Sequence, residues 1–166
     1  MKSSYPNLLE GFNSLHMKYE QIAALNARSI GTEDPKFSIL LIAGGSASGT
    51  TTLARTLQRR INREYQPDFG RDLVGLVFMD HYYKDRDPSD LDTPDSLVNH
   101  DHPSMVDIGL LADHLMTLKQ GKAIKMPVYN WGALGQPGYR EPEITQDFEP
   151  HPLVIVEGIF ALDRKL

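Results

Sequence analysis

Phe37-Ser38-Ile39-Leu40-Leu41-Ile42-Ala43-Gly44-Gly45-Ser46-Ala47-Ser48-Gly49-Thr50-Thr51-Thr52 decides how this chain folds. Its first seven residues form an almost unbroken apolar run, which suits a strand buried on both faces of a parallel sheet. A turn of small residues follows from Gly44 to Gly49. Thr51 to Tyr65 then reads as a helix with Leu53, Leu57 and Ile61 inward. Working outward, Leu73 to Met79 is a second apolar run, ending on Asp80, and Leu153 to Val156 a third, ending on Glu157-Gly158. The stretch from His81 to Pro103 is polar and rich in Asp and Pro. From Val106 to Lys119, Ile108, Leu111, Leu115 and Leu118 share one helical face, with Gly121 placed as the C-cap. Lys122 to Tyr129 reads as a strand, and Asn130 to Pro142 as a loop containing Gly132, Gly135 and Gly138. Strands alternating with helices imply an α/β domain whose parallel sheet is flanked by helices. Ligands of such sheets sit beyond the carboxyl ends of the strands, and here those ends carry Gly44, Asp80 and Glu157.

Ahead of this domain, Leu8, Phe12, Leu15, Tyr19 and Ile22 recur at helical spacing, until Gly31 and Pro35 break the pattern. Residues 1–35 are therefore expected to be an amphipathic helical extension and 36–166 the α/β domain. The apolar stripe fits either a helix docked on that domain or a dimer-forming helix.

Composition narrows the function. Seventeen Lys+Arg against 22 Asp+Glu give a net charge of −5, which argues against a nucleic-acid or anionic-membrane partner while leaving room for a local basic site. There is no cysteine, hence no disulfide framework and no thiol chemistry. No apolar run approaches the roughly 18 residues a membrane span requires, and the first residues do not read as a signal peptide. The expected location is the cytoplasm.

Gly44-Gly45-Ser46-Ala47-Ser48-Gly49-Thr50-Thr51 follows the phosphate-loop pattern G-x-x-x-x-G-K-[ST] except that Thr50 stands at the lysine position. Small residues let successive backbone N–H groups converge on phosphate oxygens, and the helix beginning at Thr51 adds its positive end. Gly44, Gly45, Ser46, Ala47, Ser48, Gly49, Thr50, Thr51 and Thr52 are thus the candidate nucleotide-binding residues, with the Thr51 hydroxyl placed for Mg²⁺. The bland alternative is a glycine- and serine-rich turn between strand and helix. Threonine offers one neutral hydroxyl where a lysine would bring a charge. Loss of one preorganised donor at a transition state costs roughly 3–4 kcal/mol, so transfer is expected to fall by at least about 10²–10³-fold.

Asp80, at the end of a buried strand, can take a proton from an acceptor hydroxyl or help hold hydrated Mg²⁺. Glu157 is placed to act on the ion through water. Each could instead be an ordinary strand-end charge.

Gly44 to Thr52, Asp80-His81-Tyr82-Tyr83, Asn99-His100-Asp101-His102-Pro103, Pro127-Val128-Tyr129 and Glu157-Gly158-Ile159 follow one another in the order seen in uridine kinases. The chain resembles that family, within the phosphoribulokinase/uridine kinase group of P-loop kinases, over about residues 37–162. Phosphoribulokinase and pantothenate kinase share the loop but fit the middle blocks less well. The resemblance implies transfer of the ATP γ-phosphate to the 5′-hydroxyl of a pyrimidine nucleoside. It implies Asp80 as catalytic base, Asp101 on the ribose hydroxyls, Tyr83 and Tyr129 in the nucleoside pocket, and Thr51, Asp80 and Glu157 around Mg²⁺. It also implies a homo-oligomer, a histidine and an arginine soon after Tyr129, and an arginine-bearing lid and further strand beyond the Glu-Gly strand. Asn130-Trp131-Gly132-Ala133-Leu134-Gly135-Gln136 keeps an aromatic but has neither histidine nor arginine, and the 166 residues do not reach a lid. The sheet edge left by the missing strand is expected to be covered by a partner chain or the N-terminal helix, or else left open.

Overall fold

In a computed structural model of the chain, residues 6–30, 32, 36–85, 99–132, 138–164 and 166 are described. Helix α1 (Pro6–Arg28) precedes strand β1 (Ser38–Ile42) and helix α2 (Thr50–Phe69). Strand β2 (Val74–Phe78) leads into a 3₁₀ turn, Met79–Tyr82, and a second such turn, Pro103–Met105, precedes helix α3 (Ile108–Lys119). Strands β3 (Ile124–Asn130), β4 (Tyr139–Phe148) and β5 (Leu153–Glu157) complete the order. The expected α/β architecture is present: β1, β5 and β2 form a parallel sheet with β5 in the middle.

All five residues of β5 are buried, as expected of a central parallel strand whose side chains meet a layer on each face. Leu153 and Ile155 join one core with Leu40 and Ile42 of β1, Leu57 and Ile61 of α2, and Ala23 and Ala27 of α1. Val154 and Val156 point the other way, into a core with Leu111, Leu115 and Leu118 of α3, Met126 and Tyr129 of β3, and Phe148 of β4. The N-terminal stripe is docked on the domain: Phe12, Leu15 and Tyr19 pack against the first core. The side chain of Leu8, together with Gly31 and Pro35, lies outside the described residues, as do positions 86–98 and 133–137. Among the described residues no helix is long and apolar enough to cross a membrane.

Several element bounds differ from the sequence reading. Helix α2 runs four residues past Tyr65, carrying Pro67 inside it, and stops at Gly70 with a positive φ of 66°. Pro67 stands in the last turn, two residues before α2 ends at Phe69, and removes one ladder N–H. Helix α3 starts at Ile108 because Asp107 caps it, its Oδ1 accepting from the Leu110 N–H at 3.1 Å. The largest difference is β4. The sequence reading leaves Tyr139–Phe148 without a strand, yet it pairs antiparallel with β3 from Ile124↔Phe148 to Asn130↔Tyr139. Residues 143–147 are exposed and Phe148 at the strand's end is buried, so no hydrophobic alternation marks this stretch; its order comes from pairing with β3.

Candidate active site

Strand register brings the chemistry together. Glu157 ends β5 directly opposite Ile42 of β1 and Phe78 of β2. Gly44 and Asp80 each follow two residues beyond those partners, so all three reach the same carboxyl edge. The Gly158 N–H donates to the Ile42 carbonyl at 3.2 Å and ties β5 to the start of the loop. The loop needs its small residues. A Cβ on Gly44 would come within 2.5 Å of Ser48 Oγ and 2.6 Å of Thr50 Cγ2. Ala47 (φ 61°) and Gly49 (φ 89°) are left-handed, a conformation glycine adopts without penalty and alanine only at a cost. The Gly49 carbonyl accepts the Leu53 N–H at 3.0 Å, opening α2 directly behind the loop.

The loop faces a cavity of about 370 Å³. Gly44, Gly45, Ser46, Ala47, Thr50 and Thr51 form one wall, and Asp80, Tyr83, His100, Asp101, Trp131, Gly138 and Glu157 to Ile159 the rest. Ser48, Gly49 and Thr52 of the expected loop set stand outside this lining. Ser48 instead closes the turn through its N–H to the Gly45 carbonyl at 3.0 Å, and Thr52 is exposed on the helix. Tyr129 sits one layer back, 5% exposed, with Gly138 packed against its ring.

Among the described residues the lining holds three carboxylates, on Asp80, Asp101 and Glu157, and no lysine or arginine. Glu157 is 6% exposed. Thr50 Oγ1 donates to its Oε1 at 2.6 Å, so the residue at the lysine position is turned onto a carboxylate. Loss of hydration in the cavity, followed by the charge of Glu157, pushes the Asp80 carboxyl above the usual carboxylate range, with His81 opposing. Burial, then the charges of Asp80 and Asp101, push the Tyr83 phenol up to about 12. That hydroxyl stays protonated and donates to the His100 carbonyl at 3.0 Å.

Thr51, Asp80 and Glu157 present only oxygen donors, the set a hard ion such as Mg²⁺ takes. Among the described residues no three His, Cys, Asp or Glu side chains approach closely enough to hold an ion by themselves. Mg²⁺ usually keeps several waters and binds through one or two carboxylates together with substrate phosphate oxygens.

The acceptor side is aromatic. The Trp131 ring lies 4.8 Å from Tyr83, 4.9 Å from Tyr129 and 6.2 Å from His100, centroid to centroid, edge to face. The sequence reading included His100 in the Asn99–Pro103 block and Trp131 as the aromatic kept after Tyr129, but assigned neither a role in the site. Arg140 gave no signal. The sequence reading finds no arginine in the expected place after Tyr129, yet β4 sets Arg140 opposite Tyr129, and its guanidinium reaches the backbone of Tyr82 and Tyr83 behind the cavity.

Residues 39–165 match the sequence model of the Phosphoribulokinase / Uridine kinase family. The chain belongs to that family. Uridine kinase from Pasteurella multocida (strain Pm70) is 38% identical over 134 residues, covering 80% of this chain and 57% of that protein. Uridine kinase from Staphylococcus aureus (strain JH9) is 36% identical over 129 residues, covering 78% of this chain and 56% of that protein. The chain therefore spans a little over half the length of these curated relatives. A solved structure described as a possible uridine kinase from Bacillus stearothermophilus superposes with a TM-score of 0.56 at 17% identity, over 89% of this chain and 75% of that one. That likeness places this member of the phosphoribulokinase/uridine kinase family among the P-loop kinase folds, and the family supports a kinase-like function.

Proposed function

We propose that this chain binds ATP with Mg²⁺ on the Gly44–Thr52 loop and a pyrimidine nucleoside against Tyr83, Asp101 and Trp131, and that it phosphorylates the nucleoside 5′-hydroxyl slowly. The observation that carries this reading is that the loop, Asp80, Asp101 and Glu157 line one cavity at the carboxyl ends of three parallel strands. In the proposed reaction the 5′-oxygen forms a bond to the γ-phosphorus, the bond to the β–γ bridging oxygen breaks, ADP leaves, and Asp80 takes the hydroxyl proton. A raised Asp80 pKa makes that carboxylate a better base than a free aspartate. Asp101 accepts the ribose hydroxyls, and the aromatic wall meets the base. Thr51, Asp80 and Glu157 would hold Mg²⁺, which would supply positive charge to the transferring phosphoryl group. Such a role in pyrimidine salvage fits a cytoplasmic protein.

A second reading, a non-catalytic nucleotide-binding module on a kinase fold, is favoured by the Thr50–Glu157 hydrogen bond and the absence of a cation among the described lining residues. Calorimetric titration with Mg-ATP and with uridine, followed by a transfer assay on wild type and Thr50→Lys, separates the two. The kinase reading expects both ligands to bind and Thr50→Lys to raise transfer about 10²–10³-fold. Binding without transfer in either protein would leave the module reading standing. A wild-type rate already equal to that of Thr50→Lys would contradict the slow-kinase reading.

A further inference from the structure

Arg140 lies on β4, outside the cavity lining, and spends its donors on the segment that follows Asp80. Its Nε donates to the Tyr83 carbonyl at 3.2 Å and its Nη2 to the Tyr82 carbonyl at 3.1 Å. Its backbone N–H donates to Asp85 Oδ1 at 2.6 Å. Nη1 stands 3.5 Å from Asp107 Oδ2, while Asp107 Oδ1 caps α3. One side chain thus joins β4, the Met79–Tyr82 turn and the start of α3. The same segment is held to the α3 side by the Asp107 N–H on the Tyr82 carbonyl and the Lys84 N–H on the Met105 carbonyl, both at 2.8 Å. Two carbonyls and a carboxylate in different directions match a planar guanidinium fork; a lysine ammonium on a flexible stem does not reproduce that geometry.

We infer that Arg140 is a positioning residue for the acceptor half of the site: it fixes the Tyr82–Tyr83 segment and so holds Tyr83 at the cavity, so that β4 sets nucleoside affinity from behind the pocket. The inference rests on the reading that a nucleoside occupies the wall of Tyr83, Asp101 and Trp131. Among the described residues no hydrogen bond or ion pair joins Arg140 to the phosphate loop, so ATP affinity is expected not to depend on it.

The test uses wild type, Arg140→Lys and Arg140→Gln of the full chain, in two measurements. Uridine and Mg-ATP are titrated separately by calorimetry, with emission of Trp131, the chain's single tryptophan, followed in parallel. Backbone hydrogen exchange is recorded without ligand at the amides of Lys84 and Asp107, against Ile155 in the central strand. Both variants are expected to lose about tenfold in uridine affinity, as a lost charge-assisted hydrogen bond does. Mg-ATP affinity is expected to stay within about twofold, and exchange to quicken at Lys84 and Asp107 but not at Ile155. Variants that bind uridine as tightly as wild type, or that lose Mg-ATP affinity equally, overturn the inference. Should wild type itself fail to bind uridine, the functional reading falls, and the exchange data alone decide Arg140: faster exchange confined to Lys84 and Asp107 sustains its positioning role, and unchanged exchange removes it.

Discussion

Thr50 and Glu157 form a contact that changes what the phosphate loop can do. A lysine ammonium at position 50 would carry charge toward the β and γ phosphates; the threonine hydroxyl ends 2.6 Å from a buried carboxylate instead. Restoring a lysine therefore acts twice, supplying a cation to the phosphates and a counter-charge to Glu157. A second residue-scale effect lies behind the site. His114 shares a 2.9 Å hydrogen bond between its Nδ1 and the Tyr82 hydroxyl. Burial holds its pKa below the ordinary histidine value; Asp113 and Asp107 pull it up and Arg140 adds to the lowering. A base with a depressed folded pKa contributes stability at pH above its unfolded value of about 6.5, and loses it as pH falls through the folded value. Denaturant midpoints of wild type are thus expected to fall below about pH 6.5 more steeply than those of His114→Gln. Parallel pH curves for the two proteins would show that His114 protonation is not coupled to unfolding. Because His114 is part-exposed, the difference is expected to be small.

At the scale of elements, β2 is fixed by a residue that lies on a helix. Asn62 of α2, buried in the core, accepts the Leu73 and Val74 N–H groups on its Oδ1 at 3.0 and 2.9 Å and donates from Nδ2 to the Val74 carbonyl at 3.0 Å. One side chain thus satisfies three backbone groups at the start of β2. Asn62→Ala takes the side-chain acceptor from the Leu73 and Val74 N–H groups, while the Val74 carbonyl keeps Gln58 Nε2 at 3.3 Å, and each buried group left unsatisfied costs about 1–3 kcal/mol. With partial relaxation, a loss of roughly 3 kcal/mol in urea unfolding is expected. A loss under 1 kcal/mol would mean that water takes over these bonds. The sequence announces α2 through Leu57 and Ile61 but is silent on Asn62, since a polar residue inside an amphipathic pattern reads as a solvent-facing position. The same limit hid β4 and Arg140. A strand made of Glu143, Ile144, Thr145, Gln146 and Asp147, all exposed, has nothing to bury, and its pairing with β3 spans a loop the local pattern does not close. By contrast, β1, β2 and β5 were legible because strands buried on both faces must be apolar throughout. The meeting of Gly44, Asp80 and Glu157 was legible because strand ends of a parallel sheet share one edge. That β5 lies between β1 and β2 was not, since pairing order leaves no local mark.

For the molecule as a whole, we propose that α1 unfolds as one unit with the α/β domain and is no separate dimerisation arm. Its small residues Ala23 and Ala27 let the helix come close to β1 and β5. Three polar contacts pin it: Asn26 Nδ2 donates to Ser38 Oγ at 3.0 Å and to the Pro152 carbonyl at 2.9 Å, and the Tyr65 hydroxyl donates to Glu20 Oε1 at 2.8 Å. The Phe12 ring also stacks beneath the Arg60 guanidinium, 5.0 Å from its centroid. Phe12, Leu15 and Tyr19 of the stripe pack on the domain, and among the described residues of α1 Met17 and Leu25 are the large apolar side chains left exposed. Asn26→Ala removes the side-chain bond to the Pro152 carbonyl, which keeps the Ser38 N–H at 3.1 Å, so the whole chain is expected to lose about 0.5–1.5 kcal/mol in a single unfolding transition. Its mass by sedimentation should equal that of wild type. Removing residues 1–30 should cost far more, because Leu40, Ile42 and Leu57 then lose their cover and an apolar patch of that kind drives association. If Asn26→Ala instead halved the sedimenting mass while leaving the unfolding midpoint unchanged, α1 would be an interface between copies, and its packing on the sheet would contribute little to the fold.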